Sequence, residues 1–219
     1  MKGKKGIIFA ADLTDERKCL NILREIEPHI DSIKVGFPLL LNSGFKIIHE
    51  IKKICNLPVI ADFKIIDIPE IIIKIILAAI DAGIDGVMLC GLCGPLVINE
   101  CILAAKDIMI FIFTELTYAD GFISQDLADA TAEMARDLGV YGIQAPATKE
   151  GRVRKMRQIV GNDLVIISCG IKTQGPSPGS AIEEGADYEI IGRSIYESQN
   201  PKQSAKSIRE KLKLSGLIE

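Results

Sequence analysis

Short apolar runs recur along this chain about every 20 to 30 residues, each followed by an amphipathic or charged stretch, and nothing else in the sequence constrains the fold as strongly. The runs are GIIFAAD from Gly6, SIKVG from Ser32, PVIADFK from Pro58, GVMLCG from Gly86, IMIFIFTEL from Ile108, GVYGIQAP from Gly139, LVIISCG from Leu164 and YEIIGRSI from Tyr188. Each has the length of a strand, and each spacing has room for a loop and a helix. Eight such units in 219 residues predict an α/β fold, a (β/α)8 TIM barrel formed as one domain over residues 1–219. A doubly wound open sheet is the alternative. Helix punctuation keeps the same register: DAGIDG, DLGVYG and EEGADY each place a glycine where a helix would stop before the next strand.

Hydrophobic residues make up 48% of the chain, yet a charge or proline breaks every apolar run before the roughly 18 residues a membrane span needs. The most apolar stretch, Ile71 to Ile80, carries Lys74 and reads as a buried helix. The amino terminus has a basic start, but Asp12 ends its apolar segment too early for a signal peptide, so the expectation is a soluble cytoplasmic protein without a membrane partner. A net charge of −3 and a pI near 5.6 argue against nucleic-acid binding, which asks for clustered Lys and Arg. Six cysteines scattered through apolar segments suggest reduced thiols and not a disulfide framework.

In a barrel the carboxyl ends of the strands converge on one face, so polar residues there are the candidates for chemistry. Strand ends supply Asp12, Lys34, Asp62, Lys64, Thr117, Gln174 and Arg193. Asp62 and Lys64 are two apart in ADFKIIDIPE, and on an extended strand both side chains would leave one face toward the barrel interior, with Asp67 following on the loop. These charges suit either a catalytic network or a structural ion-pair cluster closing the barrel mouth. The GIKTQG loop after the seventh strand and the GRSI turn after the eighth lie where barrels hold phosphate, with Arg193 as a forked donor and Gln174 as a further one. A solvent-facing arginine in a turn is the plainer reading of Gly192 and Arg193 taken alone. Cys90 and Cys93 have redox or zinc spacing, but no second pair completes four ligands, and core packing explains them better. His29 and His49 fall in helical segments, which leaves lysine, aspartate or Tyr118 as proton donor. No GxSxG, Walker A or GxGxxG motif is present.

With DFKIIDIPE in view, the sequence resembles the archaeal-type orotidine 5'-phosphate decarboxylases along essentially its whole length. AADL at Ala10, IKVGFPLL at Ile33, FTEL at Phe113, GIKTQG at Gly170 and ADYEIIGRSIY at Ala186 follow in the family's order. The shorter DxKxxD motif is shared with hexulose-phosphate synthases and ketogulonate-phosphate decarboxylases, whereas the DIP continuation looks like the orotidylate branch. The resemblance implies a carboxy-lyase that converts orotidine 5'-phosphate to UMP in pyrimidine biosynthesis without cofactor or metal. It implies a homodimer in which Lys34, Asp62 and Lys64 of one subunit are completed by Asp67, with Ile68, of the other. Family roles on matching positions make Lys64 the proton donor to C6, Asp62 the carboxylate facing that of the substrate, and Lys34 and Asp67 their electrostatic partners. Asp12 would bind ribose, and Gln174, Gly192 and Arg193 the phosphate, with Thr117 and Cys169 also at the substrate.

Departures from the family pattern cluster around base recognition and loop closure. Thr117, Tyr118, Ala119 and Asp120 stand for Ser-His-Pro-Gly, Cys169 for proline, Pro176 for glycine, Cys90 for histidine and Ile71 for threonine. Two other readings compete: a related sugar-phosphate lyase or synthase using Mg2+ to stabilise an enediolate, and a nonenzymatic paralogue that binds nucleotide through Arg193.

Overall fold

The computed structural model describes every residue except Asp107 and Ala119, so the expectation for Ala119 lies outside the described residues. Eight parallel strands close into a barrel in chain order: β1 (Gly6–Ala11), β2 (Ser32–Gly36), β3 (Val59–Ile65), β4 (Gly86–Cys90), β5 (Met109–Phe113), β6 (Gly142–Pro146), β7 (Val165–Cys169) and β8 (Tyr188–Ile191). β8 pairs back onto β1, with Ile8 opposite Ile190, which removes both sheet edges and excludes the open doubly wound sheet. Helices α1 (Glu16–Ile26), α2 (Phe37–Ser43), α3 (Lys46–Ile54), α4 (Pro69–Asp81), α5 (Pro95–Ala104), α6 (Gln125–Asp137), α7 (Arg152–Val160), α8 (Ser180–Glu183), α9 (Arg193–Tyr196) and α10 (Pro201–Leu214) alternate with them. This is a (β/α)8 TIM barrel.

The strands read as unbroken apolar runs because both of their faces are buried. Along β1, Ile8 and Ala10 point into the barrel and pack with Ile60, Met88, Phe111 and Ile167. Ile7, Phe9 and Ala11 point outward into a second layer shared with the helices. The helices begin on side-chain caps where the sequence supplies them: Asp15 accepts from the Lys18 N–H, Ser124 from Leu127 and Asn200 from Gln203. Gly83, Gly139 and Gly185, the expected helix stops, all take the positive φ that a side chain resists.

The Ile71–Ile80 stretch is a helix, but not a buried one. Ile72, Ile76 and Ala79 face the barrel, while Ile71 and Leu77 are exposed, because a helix on the outside of a barrel has only one stripe to bury. Among the described residues no helix is long and apolar enough to cross a membrane.

Candidate active site

The carboxyl ends of the strands surround a cavity of about 300 Å³. Lys34 stands in the middle of β2, where alternation turns it inward, and its side chain is only 8% exposed. Its Nζ lies 2.6 Å from Asp62 Oδ2 and 3.4 Å from Asp12 Oδ1, in the loop after β1. Lys64 Nζ forms an ion pair with the other oxygen, Asp62 Oδ1. Two ammonium and two carboxylate groups therefore alternate as Asp12, Lys34, Asp62 and Lys64, and the buried carboxylate of Asp62 has a cation on each oxygen.

Lys64 does not reach this place as an extended strand residue. The register between β3 and β4 slips between Asp62 and Ile65, and Lys64 has φ of 46°, a left-handed conformation uncommon for a side-chain-bearing residue. The bulge, and not simple alternation, turns its ammonium back toward Asp62 and over the Phe113 ring, 5.5 Å from the centroid. Beyond it, the thiol of Cys93 donates to the Ile65 carbonyl at 3.2 Å and ties the bulged segment to the end of β4. The Cys90–Cys93 spacing thus serves packing and a backbone contact. Among the described residues no cluster of three metal-type side chains forms, and all six cysteines are free.

Burial would raise the Asp62 carboxyl, but Lys34 and Lys64 outweigh it and hold the group below its usual range. For Lys34 burial works to lower the pKa, yet Asp62 and Asp12 outweigh it and raise the group. Both groups are held charged at neutral pH.

The loops after β7 and β8, next to β1 around the barrel, carry other candidates. Gln174, Gly192 and Arg193 line the cavity together, in the loops after β7 and β8. Arg193 is exposed and makes no side-chain ion pair with a described residue. A Cβ on Gly192 would lie 3.2 Å from that of Ala10 and 3.3 Å from the Tyr196 ring, so a side chain here would crowd this turn against β1. Thr117 and Cys169 also line the cavity, and the Thr117 carbonyl accepts from the Thr148 hydroxyl at 2.6 Å. Asp67 and Ile68 do not line it. Both are exposed, and the Asp67 carboxylate accepts from the Ile68 N–H at 2.7 Å. Cavity residues that the sequence reading passed over include Phe113, Gln144, Thr173 and Tyr196. Of these Gln144 carried a readable signal, a polar residue at an inward position of an otherwise apolar strand.

Comparison with known proteins gives these residues a context. Residues 5–208 match the model of the orotidine 5'-phosphate decarboxylase / HUMPS family. The chain is 39% identical to the orotidine 5'-phosphate decarboxylase of Methanosarcina acetivorans, over 97% of this chain and 96% of that one. It is 36% identical to that of Pyrococcus furiosus, over 94% and 97% respectively. The crystal structure of the Methanocaldococcus jannaschii orotidine 5'-monophosphate decarboxylase complexed with the inhibitor BMP superposes with a TM-score of 0.85 at 35% identity, covering 94% of this chain and 98% of that one. By sequence over nearly its whole length and by fold, this chain belongs to the orotidine 5'-phosphate decarboxylase / HUMPS family.

Proposed function

We propose that the barrel mouth decarboxylates orotidine 5'-phosphate to UMP, and that the alternating Asp12–Lys34–Asp62–Lys64 network is the observation that carries this reading. Two ammonium groups and a buried carboxylate, fixed before substrate arrives, suit a reaction that creates negative charge on carbon. The C6–carboxyl bond breaks, its electron pair stays on C6, CO2 leaves, and the Lys64 ammonium stabilises the carbanion and gives it a proton. Asp62, fixed by Lys34, faces the departing carboxylate and holds Lys64 in place. Asp12 meets the ribose, and Gln174, Gly192 and Arg193 hold the phosphate, whose remote binding energy positions the base. Thr117 and Cys169 border the base.

The donor set favours this chemistry over a Mg2+-stabilised enediolate. The carboxylates a divalent ion would need, Asp12 and Asp62, already share the Lys34 ammonium. The working unit is the single domain 1–219, active without cofactor and placed in the cytoplasm.

A homodimer completes the site. Asp67 lies outside its own cavity, and Phe37, Leu41, Ile66, Ile68, Leu92 and Leu96 are exposed on the segments that follow the neighbouring strands β2, β3 and β4. An apolar belt of this kind marks a contact surface, and pairing there would carry Asp67 and Ile68 into the partner's site.

The test is turnover of orotidine 5'-phosphate in EDTA, followed by absorbance, with Lys64→Ala alongside. Wild type turns over and the variant does not; equal activity in both would sink the mechanism. Mixing inactive Lys64→Ala and Asp67→Ala subunits restores about a quarter of wild-type activity when subunits re-associate at random. No recovery counts against the shared site.

A further inference from the structure

The inner wall formed by β5, β6 and β7 is apolar where it meets the charged network, with Phe111, Phe113 and Ile167 turned inward, except at Gln144. This side chain is 4% exposed, yet it borders the cavity. A carboxamide taken out of water needs strong partners, and Gln144 Nε2 donates only to Cys169 Sγ, at 3.1 Å. Thiol sulfur is a weak acceptor. Burial pushes this thiol up to about 12, so it is neutral and the contact has no charge assistance. A carboxylate placed in the cavity would be a far better acceptor for the same N–H.

The register puts Gln144 beside that position. Gln144 is paired with Phe113 across β5 and β6, and the Lys64 ammonium stands over the Phe113 ring. Cys169, the present partner of the amide, is within electrostatic reach of Lys64, Asp62 and Lys34. A substrate carboxylate that faces the Asp62 carboxylate meets repulsion on one side and needs a neutral donor on another.

We propose that Gln144 is a specificity residue that donates a hydrogen bond from Nε2 to the C6 carboxylate of the substrate, exchanging its thiol contact for a charged one. The inference rests on the decarboxylase reading above. It gives the amide a discriminating task, because the product has hydrogen in place of the carboxylate and cannot accept this bond. Substrate is held by one contact more than product, which favours release after turnover.

The experiment compares substrate and product on the same variants. Gln144→Met keeps length and removes the donor; Gln144→Glu keeps the shape and sets a like charge against the substrate. Loss of a hydrogen bond to a charged group raises KM for orotidine 5'-phosphate about tenfold or more in Gln144→Met, and more in Gln144→Glu, while inhibition by UMP stays within twofold of wild type. If either variant fails to fold, the other carries the comparison. Equal weakening of substrate and product would assign Gln144 to the base or to the scaffold and overturn the proposal, as would no change in either. Absence of turnover by wild type would instead defeat the decarboxylase reading, so the two failures are distinguishable.

Discussion

Replacing Asp62 with asparagine preserves volume and removes one charge, which isolates what the network contributes to stability. In the wild type the Asp62 side chain is 6% exposed and that of Lys34 8%, with 2.6 Å between their charged atoms. After the substitution Lys34 keeps only Asp12, at 3.4 Å, and Lys64 loses its partner in the cavity. Removing one member of a buried ion pair costs about 3 to 5 kcal/mol. The lower end applies, about 3 kcal/mol, because Asp12 and the partial exposure of Lys64 relieve the remaining ammoniums. For a chain of this size the melting temperature falls by about 6 to 12 °C. The loss also depends on pH. Asp62 is depressed in the folded state, so its contribution is present above the ordinary carboxylate range and is lost as pH falls through the folded value. Lys34 is raised, so its contribution is present below about 10.5 and is lost as pH rises through the folded value. The gap between wild type and Asp62→Asn is therefore widest near neutrality and closes toward both extremes. Calorimetry at neutral pH, below pH 3.8 and above pH 10.5, with and without added salt, reads all of this. A gap below about 1 kcal/mol at pH 7, or one that added salt abolishes, would refute a buried network and leave an exposed cluster of little energetic weight.

Two further perturbations separate binding from structure. Arg193→Ala removes a charge-assisted contact to phosphate, so KM for orotidine 5'-phosphate rises about 10- to 100-fold while the weak reaction of orotidine, which has no phosphate, is unchanged; an equal loss on both substrates would place Arg193 outside phosphate binding. Glu115→Gln strikes a second buried cluster, in which the fully buried carboxylate lies 2.7 Å from both Lys149 and Arg152, and costs about 3 kcal/mol with kcat per folded molecule unchanged; a melting temperature within 2 °C of wild type would contradict it.

The barrel was legible because its strands are buried on both faces and leave unbroken apolar runs, and because glycines mark helix ends through a backbone demand that can be read directly. What escaped depended on one residue's dihedral angle or on the neighbours of a strand. ADFK suggests plain alternation, and nothing in that string announces that Lys64 turns left-handed, since the bulge arises from register with β4. Alternation would also bring Asp62 and Lys64 to one side, so the pairing could be anticipated for a reason that the backbone does not use. In α4 the opposite occurred: composition suggested full burial, although a helix outside a barrel has one buried stripe, and the excess apolar side chains are left exposed. That excess has its own meaning. The segment from Ile66 to Ile71 begins two residues after Lys64, the residue that would donate the proton, so an interface formed there would act on the bulge that orients Lys64 as well as delivering Asp67.

If the partner's Asp67 enters beside Lys64, association adds a carboxylate to a network in which two cations and two anions already balance. An added anion there strengthens the hold on the ammonium but also opposes a substrate that brings a carboxylate of its own. If phosphate binds at Arg193, it can offset that opposition because its energy is independent of the reacting group. The division of labour then assigns affinity to the phosphate contacts and charge stress to the network. On this account the weak amide–thiol contact of Gln144 is the exchangeable element of the wall, free to turn to a carboxylate when one arrives and to return when it leaves.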